Sequence, residues 1–149
     1  MSDLVNSFEI DRPPAEVFAY LDDVERHVEW QDTLISVRRL NDGPTAVGTR
    51  VAETRRVGGR DQQLTYEITE HDPPHSFAFR GIDGPVRPVG RGVVEPVGDG
   101  SRSRMTLTLG FEGHGVGKFM LPLVRSQAAK QIVADGERMR QRLEADASG

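Results

Sequence analysis

Three polar side chains on two neighbouring predicted strands could together orient a small molecule. Glu53 and Arg55 stand two apart in the first strand, and Tyr66 lies in the second, beyond the Gly58–Gly59 pair. Side chains two apart in a strand point to the same face, and the apolar residues of both strands share that parity. An acid, a guanidinium and a phenol would then converge among apolar walls. Such a site binds mainly by apolar contact, and desolvated polar groups with shifted pKa values could also serve an enzyme.

Each of these residues also has a purely structural interpretation. Glu53 and Arg55 could form an exposed cross-strand pair, because charged residues are seldom buried unless they are paired. Tyr66 could be a core side chain with its hydroxyl at the rim. Trp30, the only tryptophan, follows a short predicted helix, where it could either cover a ligand or seal that helix against the sheet.

The residues predicted to contact a ligand include further apolar side chains of the strands and of the last helix. For the helical residues, ordinary core packing is the alternative. The full predicted set is Trp30, Val51, Glu53, Arg55, Tyr66, Ile68, Phe77, Phe79, Met105, Leu107, Met120, Leu123 and Val124. Of these, Arg55, Glu53 and Tyr66 are the candidates for catalysis, and none is assigned a catalytic role.

The elements that position these side chains begin with a strand and two short helices. Leu4–Ile10 favours a strand and ends before Pro13 and Pro14, and proline suits a first helical turn because its missing N–H has no partner there. We predict helices over residues 14–21 and 24–30, with Val24 and Val28 on one face of the second. Six antiparallel strands follow, separated by glycine- and proline-rich turns, at residues 34–40, 49–57, 62–71, 76–81, 89–97 and 102–112.

The chain then changes to a helical period. One stripe of apolar residues recurs at steps of three or four: Met120, Val124, Ala128, Ile132, Gly136, Met139 and Leu143. This pattern predicts one long helix that is apolar on one side only. Pro122 either begins this helix in its first turn or kinks it by removing one backbone hydrogen bond.

The long helix is the only predicted element long enough to cover the apolar face of the sheet. A strongly curved sheet that grips a straight helix need not fill the space between them. The sequence therefore predicts an apolar cavity beneath the helix.

The order of these elements resembles the START-like, or SRPBCC, superfamily, and in particular its polyketide cyclase/dehydrase and lipid-transport branch. The residues that carry the resemblance are "FEIDRPPAEVFAYLDDVERHVEW", "VGTRV" at 47–51, "YEITEHDPPHSFAFR" at 66–80, "EPVGDGSR" at 95–102, and the last helix with its early proline. The resemblance implies an α+β helix-grip fold, like that of the birch-pollen allergen, in which a curved seven-stranded antiparallel sheet wraps around the C-terminal helix. In aromatase/cyclases of this superfamily an arginine and a tyrosine are proposed to polarise a polyketide carbonyl, and Arg55 and Tyr66 resemble that pair in chemistry only.

Composition excludes several other classes of function. The chain of 149 residues has a net charge of −4 and no cysteine, so we expect no nucleic-acid partner and a reducing, cytoplasmic location. No stretch is apolar for the roughly 20 residues of a membrane-spanning helix, so stable membrane insertion is not expected.

The four histidines lack the spacing of a metal motif, and we expect no metal and no cofactor. They are His27, His71, His75 and His114. We expect one domain over residues 1–149, with a frayed tail at 145–149.

Three functions remain open from the sequence. The first is a module that binds a small hydrophobic or amphipathic molecule, such as a lipid, an isoprenoid or a polyketide-like compound. The second is a polyketide cyclase, aromatase or dehydratase that uses Arg55, Glu53 and Tyr66. The third is a protein-interaction module with a filled core. A carrier protein or a second copy of the chain is a possible further partner, the carrier through the arginines of the last helix.

Overall fold

Seven antiparallel strands form one sheet in which every consecutive pair from the second strand onward is joined as a hairpin. The computed structural model describes residues 3–146, and the spatial order of the strands is β1-β7-β6-β5-β4-β3-β2. The elements are β1 (Leu4–Ile10), α1 (Pro14–Asp22), a 3-10 helix (Val24–Glu29), β2 (Leu34–Arg39), β3 (Arg50–Val57), β4 (Arg60–Asp72), β5 (Ser76–Gly81), β6 (Val86–Val97), β7 (Arg102–Gly113) and α2 (Gly117–Asp146). The predicted α+β helix-grip architecture is confirmed.

The hairpin between β3 and β4 sets the register of the strands that carry the polar candidates. Gly58 and Gly59 have φ angles of 59° and 80°, which is the left-handed conformation that a two-residue hairpin turn requires at both positions. Val57 pairs with Arg60, and Val51 therefore lies opposite Tyr66. The parity predicted across the hairpin is the parity observed.

The second short helix differs from its prediction in type and in the face that it buries. It is a 3-10 helix with about three residues per turn, so residues three apart share a face. Val24 and His27 are buried, whereas Val28 is 40% exposed. The predicted pairing of Val24 with Val28 on the buried face is therefore wrong.

Strand β6 begins three residues earlier than predicted because a proline is tolerated there. Pro88 pairs with Phe111 of β7, but the pairing of β6 with β5 begins only at Val89. Pro88 thus lies where β6 has a neighbour on one side only, and its missing N–H breaks no second ladder.

Helix α2 runs without interruption from Gly117 to Asp146, so Pro122 lies inside it and does not begin it. The proline leaves one backbone carbonyl of the preceding turn, that of Lys118, without its helical donor. The start of α2 is pressed against the loop between β5 and β6, where a Cβ atom on Gly117 would collide with the carbonyl group of Pro85. Of the predicted frayed tail, residues 145 and 146 are helical and residues 147–149 lie outside the described part of the chain.

The two halves of α2 meet different surroundings. The second half packs on the sheet and on β1, and its inward residues Ile132, Gly136, Met139 and Leu143 are buried. The inward residues of the first half, Met120, Val124 and Ala128, are only half-buried. The prediction that the helix is apolar on one side only is wrong for this first half, because the outward-facing Phe119 and Leu123 are 87% and 60% exposed.

Candidate functional site

A cavity of about 630 Å³ lies between the inner face of the sheet and the first half of α2. Its walls are mainly aromatic and aliphatic. Side chains of α1, the strands and α2 contribute Leu21, Leu64, Phe77, Phe79, Leu107, Leu109, Phe111, Met120, Val124, Ala128 and Ile132. The space exists because only the second half of α2 packs against the core. The cavity separates the first half of α2 from the sheet.

Glu53 and Arg55 lie inside the cavity as an ion pair and not on the outer surface. The Glu53 side chain is 7% exposed and the Arg55 side chain 24%, with 3.3 Å between Nη2 and Oε2. Nη1 of Arg55 also donates to Thr33 Oγ1 at 2.8 Å, and Nη2 donates to Gln31 Oε1 at 2.6 Å. The exposed cross-strand alternative is therefore not what the structure shows. Most N–H groups of Arg55 are already used within the protein.

Tyr66 lies on the same wall with its hydroxyl unused. Its ring centroid is 4.8 Å from that of Phe79, and the hydroxyl makes no hydrogen bond to any residue within 3–146. Burial, followed by the negative charge of Glu53, raises the pKa of Tyr66 above its ordinary value of 10, so the phenol stays protonated at neutral pH. A protonated phenol can donate one hydrogen bond and accept others.

His27 and Trp30 form the wall contributed by the 3-10 helix. Burial lowers the pKa of His27 below its ordinary value of 6.5, and Nε2 must carry the proton because it lies 2.7 Å from the carbonyl oxygen of Leu21. The two rings meet edge to face at 5.1 Å. The indole Nε1 of Trp30 is buried and has no hydrogen-bond partner among the described residues. This wall is therefore uncharged at neutral pH.

Asp135 is a cavity residue that the sequence analysis missed. It is 9% exposed, lines the cavity from α2, and accepts a hydrogen bond from Gln131 at 2.8 Å. Burial raises its pKa to about 6, and the Gln131 hydrogen bond and the charge of Arg55 oppose that rise. A signal was present in the sequence, because Asp135 falls on the apolar stripe between Ile132 and Met139.

The raised pKa of Asp135 predicts a pH-dependent cost to stability. Between about pH 4 and pH 6 the folded chain holds a proton that the unfolded chain has released, so the free energy of unfolding falls as the pH rises through this window. Asp135→Asn keeps the acceptor for Gln131 and removes the charge. We expect this variant to be more stable than wild type by roughly 2 kcal/mol at pH 7.5, with the difference shrinking towards pH 4.

Urea unfolding of both proteins across this pH range measures the effect. Glu137→Gln is the control, because Glu137 is exposed on the same helix and its pKa is lowered, chiefly by its hydrogen bond from Arg140. The control should gain no stability at pH 7.5. Equal stability of Asp135→Asn and wild type at every pH would contradict a buried charge at this position.

The structure places the predicted ligand contacts in three groups. Nine of the predicted contacts line the cavity: Trp30, Glu53, Arg55, Tyr66, Phe77, Phe79, Leu107, Met120 and Val124. Val51, Ile68 and Met105 are fully buried in the core beside it and are not part of its lining. Leu123 is 60% exposed on the outer side of α2, away from the cavity. The lining also includes Gln31 and Thr33, which sequence reasoning missed because they follow the 3-10 helix in an irregular segment with no period.

Two further features bear on the class of site. Within residues 3–146, no group of three or more His, Asp or Glu side chains could hold a metal ion. No helix in the described part of the chain is long and apolar enough to cross a membrane.

A curved antiparallel sheet that encloses an apolar cavity beneath a C-terminal helix defines the helix-grip proteins. Residues 1–144 match the model of the family described as polyketide cyclase / dehydrase and lipid transport, and the chain belongs to that family. The resemblance to START-like proteins that the sequence indicated is thereby confirmed. Among curated proteins, none matches the sequence significantly.

Solved structures share the fold at low sequence identity. TTHA0849 from Thermus thermophilus is 20% identical, with a TM-score of 0.80 over 97% of this chain and 98% of that one. The Zhui aromatase/cyclase from Streptomyces sp. R1128 is 18% identical, with a TM-score of 0.81 over 95% and 93% of the two chains. A START superfamily protein from Mycobacterium smegmatis is 11% identical, with a TM-score of 0.76 over 97% and 99%. At these identities the likeness concerns the fold.

Proposed function

We propose that this protein binds a small, mainly apolar molecule in the cavity beneath α2. The observation that carries the proposal is the cavity itself, whose volume of about 630 Å³ falls within the range of roughly 300–1,000 Å³ that ligand sites occupy. Its walls are mainly aromatic and aliphatic, and Glu53, Arg55, Tyr66 and Asp135 form one polar cluster on β3, β4 and α2, next to Gln31 and Thr33. This distribution suits a ligand with one polar end.

The charges of the polar groups favour an uncharged ligand. Arg56, Arg91 and Lys130 also line the cavity but are exposed to solvent, and the two arginines are paired with Asp61 and Glu70. Among the charged groups buried in the wall, Arg55 is neutralised at neutral pH by Glu53, and Asp135, with its pKa of about 6, adds a negative charge. A carboxylate or phosphate placed among these groups would be repelled, because a like charge within a desolvated site costs several times what it costs in water. The Tyr66 hydroxyl is free to bond a carbonyl or hydroxyl oxygen, so a neutral molecule with such a group fits best.

The other two functions considered from the sequence have less support. A filled core is absent from the space under the first half of α2. A cyclase or dehydratase remains the alternative activity, with the Tyr66 hydroxyl and the Asp135 carboxyl as its donors and acceptors. Arg55 is less available for that chemistry than the sequence suggested, since Glu53, Gln31 and Thr33 already occupy most of its N–H groups. The presence of the cavity is accounted for by ligand binding alone, without a catalytic role.

Filling the cavity should abolish binding without unfolding the protein. Ala128→Phe places a ring in the cavity from α2, whereas Ala134→Phe places the same ring on an exposed turn of the same helix. With N-phenyl-1-naphthylamine as a neutral apolar probe, we expect binding to wild type and to Ala134→Phe, and at least about tenfold weaker binding to Ala128→Phe. The sole tryptophan, Trp30, lines the cavity and reports occupancy by its fluorescence.

A second probe tests the preference for an uncharged ligand. The anionic 8-anilino-1-naphthalenesulfonate should bind at least about tenfold more weakly than the neutral probe at pH 7.5. Native mass spectrometry of freshly purified protein would identify a ligand that copurifies. Equal binding of the neutral probe to Ala128→Phe and wild type would show that the cavity is not the site.

A further inference from the structure

The first half of α2 is apolar on its outer side as well as towards the cavity. Steps of three and four residues place one exposed row along the outside of the helix, and we name it the outer stripe: Phe119, Pro122, Leu123, Ser126, Ala129 and Val133. The Phe119 side chain is 87% exposed and that of Val133 is 58% exposed. A helix that is apolar on both sides is normally covered on both sides. In this chain the inner side of the helix lines the cavity, and no described residue covers the outer stripe.

The charge around the outer stripe is positive, although the whole chain has a net charge of −4. Residues 113–134 contain Lys118, Arg125 and Lys130 and no acidic residue. Both lysines are exposed. The two lysines of the whole chain therefore both flank the outer stripe.

Three of the acidic side chains at the same end of the sheet are engaged by other groups. Asp61 is 3.0 Å from Arg56, and Glu112 is 3.0 Å from Arg80. Asp83 accepts a hydrogen bond from the backbone N–H of Thr65. These contacts leave Lys118 and Lys130 as exposed positive charges beside an apolar surface.

The outer stripe also lies at an opening of the cavity. Gly117 packs against Pro85 of the β5–β6 loop, and Gly58 of the β3–β4 turn faces Gln127 of α2. Pro85, Gly58 and Gln127 all line the cavity. The two loops and the first half of α2 therefore form one end of the molecule, with exposed Phe119 beside them.

We propose that the outer stripe docks on an anionic lipid surface. Phenylalanine and leucine on an exposed helix face flanked by lysines form the composition that lies in the interface of a bilayer. A second copy of the chain is a poorer occupant. An aromatic side chain offers about 150–250 Å² and the aliphatic ones less, so the protruding side chains supply under roughly 600 Å² in total, against about 800 Å² per partner in a stable interface. The proposal does not depend on the identity of the cavity's ligand.

Cosedimentation of the full chain with vesicles tests this docking. We expect binding to vesicles of phosphatidylcholine mixed with phosphatidylglycerol, weaker binding in high salt, and little binding to phosphatidylcholine alone. In Phe119→Gln/Leu123→Gln the bound fraction should fall by at least about tenfold, and Lys118→Glu should reduce it several-fold. The control Val5→Thr/Val47→Thr changes two valines that are each 64% exposed and lie outside the outer stripe, and it should bind like wild type.

Circular dichroism and thermal melting confirm that the variants are folded before they are compared. Three outcomes would overturn the proposal. The first is no binding of wild type to the mixed vesicles, and the second is equal binding of wild type and Phe119→Gln/Leu123→Gln. The third is a wild-type dimer in sedimentation velocity that becomes monomeric in Phe119→Gln/Leu123→Gln, because the outer stripe would then be an interface between copies.

Discussion

Arg55→Ala should lower the free energy of unfolding by about 3 kcal/mol, which is far more than the loss of a surface ion pair. The Glu53 carboxylate is 7% exposed and meets Arg55 at 3.3 Å. Removal of the guanidinium would leave this carboxylate in the cavity wall with no compensating charge. It would also deprive Gln31 and Thr33 of the donor that binds their oxygens.

The neighbouring arginine provides a matched control. Arg56, the next residue of β3, also borders the cavity but pairs with Asp61 at 3.0 Å, with both side chains more than half exposed. Exposed pairs contribute about 0–1 kcal/mol, so Arg56→Ala should cost less than about 1 kcal/mol. Chemical denaturation of the two variants at pH 7.5 measures the difference. Equal losses would mean that Glu53 and Arg55 are solvated, as in the exposed alternative.

A second substitution separates the buried charge from other effects of losing Arg55. Adding Glu53→Gln to Arg55→Ala removes the uncompensated carboxylate, so the double variant should recover more than half of the lost stability. This result matters for any functional test, since loss of ligand binding in Arg55→Ala alone would partly reflect a damaged fold. Tyr66→Phe, which removes no hydrogen bond within the described residues, is the cleaner probe of the cavity.

Met139→Ala should destabilise the protein by about 2–5 kcal/mol, whereas Met120→Ala should cost less than about 1.5 kcal/mol. Both substitutions remove the same atoms from the same helix. Met139 is fully buried against the core, so its removal leaves a new void. Met120 is half-buried and already borders the cavity, so its removal enlarges a space that exists.

Thermal and urea unfolding of the two variants therefore test which part of α2 is packed against the core and which part lies over the cavity. Met120→Ala should in addition change the affinity for N-phenyl-1-naphthylamine, and Met139→Ala should leave that affinity unchanged in the fraction that remains folded. Comparable losses of stability at the two positions would show that the helix is packed along its whole length. That result would also remove the cavity on which the proposed function rests.

The Glu53–Arg55 pair on β3 shows what the alternation of residues along a strand can predict and what it cannot. Alternation with Val51 and Val57 placed Glu53 and Arg55 on the inner face, and the Gly58–Gly59 turn fixed the register with Tyr66. Parity could not decide between a buried and an exposed pair. That outcome depends on Gln31 and Thr33, which reach Arg55 from a segment about 20 residues earlier and provide the hydrogen-bond partners that stabilise it in the cavity wall.

Asp135 and Phe119 show what the helical period of the sequence cannot predict. The helical period correctly assigned Met139 and Leu143 to the core, but a period describes only which residues share a face. It does not show that an acid on that face lines a cavity, or that the other face is also apolar over the first half of the helix.

The sequence by itself determined the order of elements and the register of the β3–β4 hairpin, because these follow from local periods and turn chemistry. Its resemblance to the START-like superfamily indicated the helix-grip class. Only the tertiary structure decided that α2 contacts the core through its second half, that Asp135 joins the cavity wall, and that Phe119 remains in solvent. The physical reason is that the curvature of the sheet and the distance to the helix arise from packing between residues distant in the chain. Local patterns carry no measure of that distance.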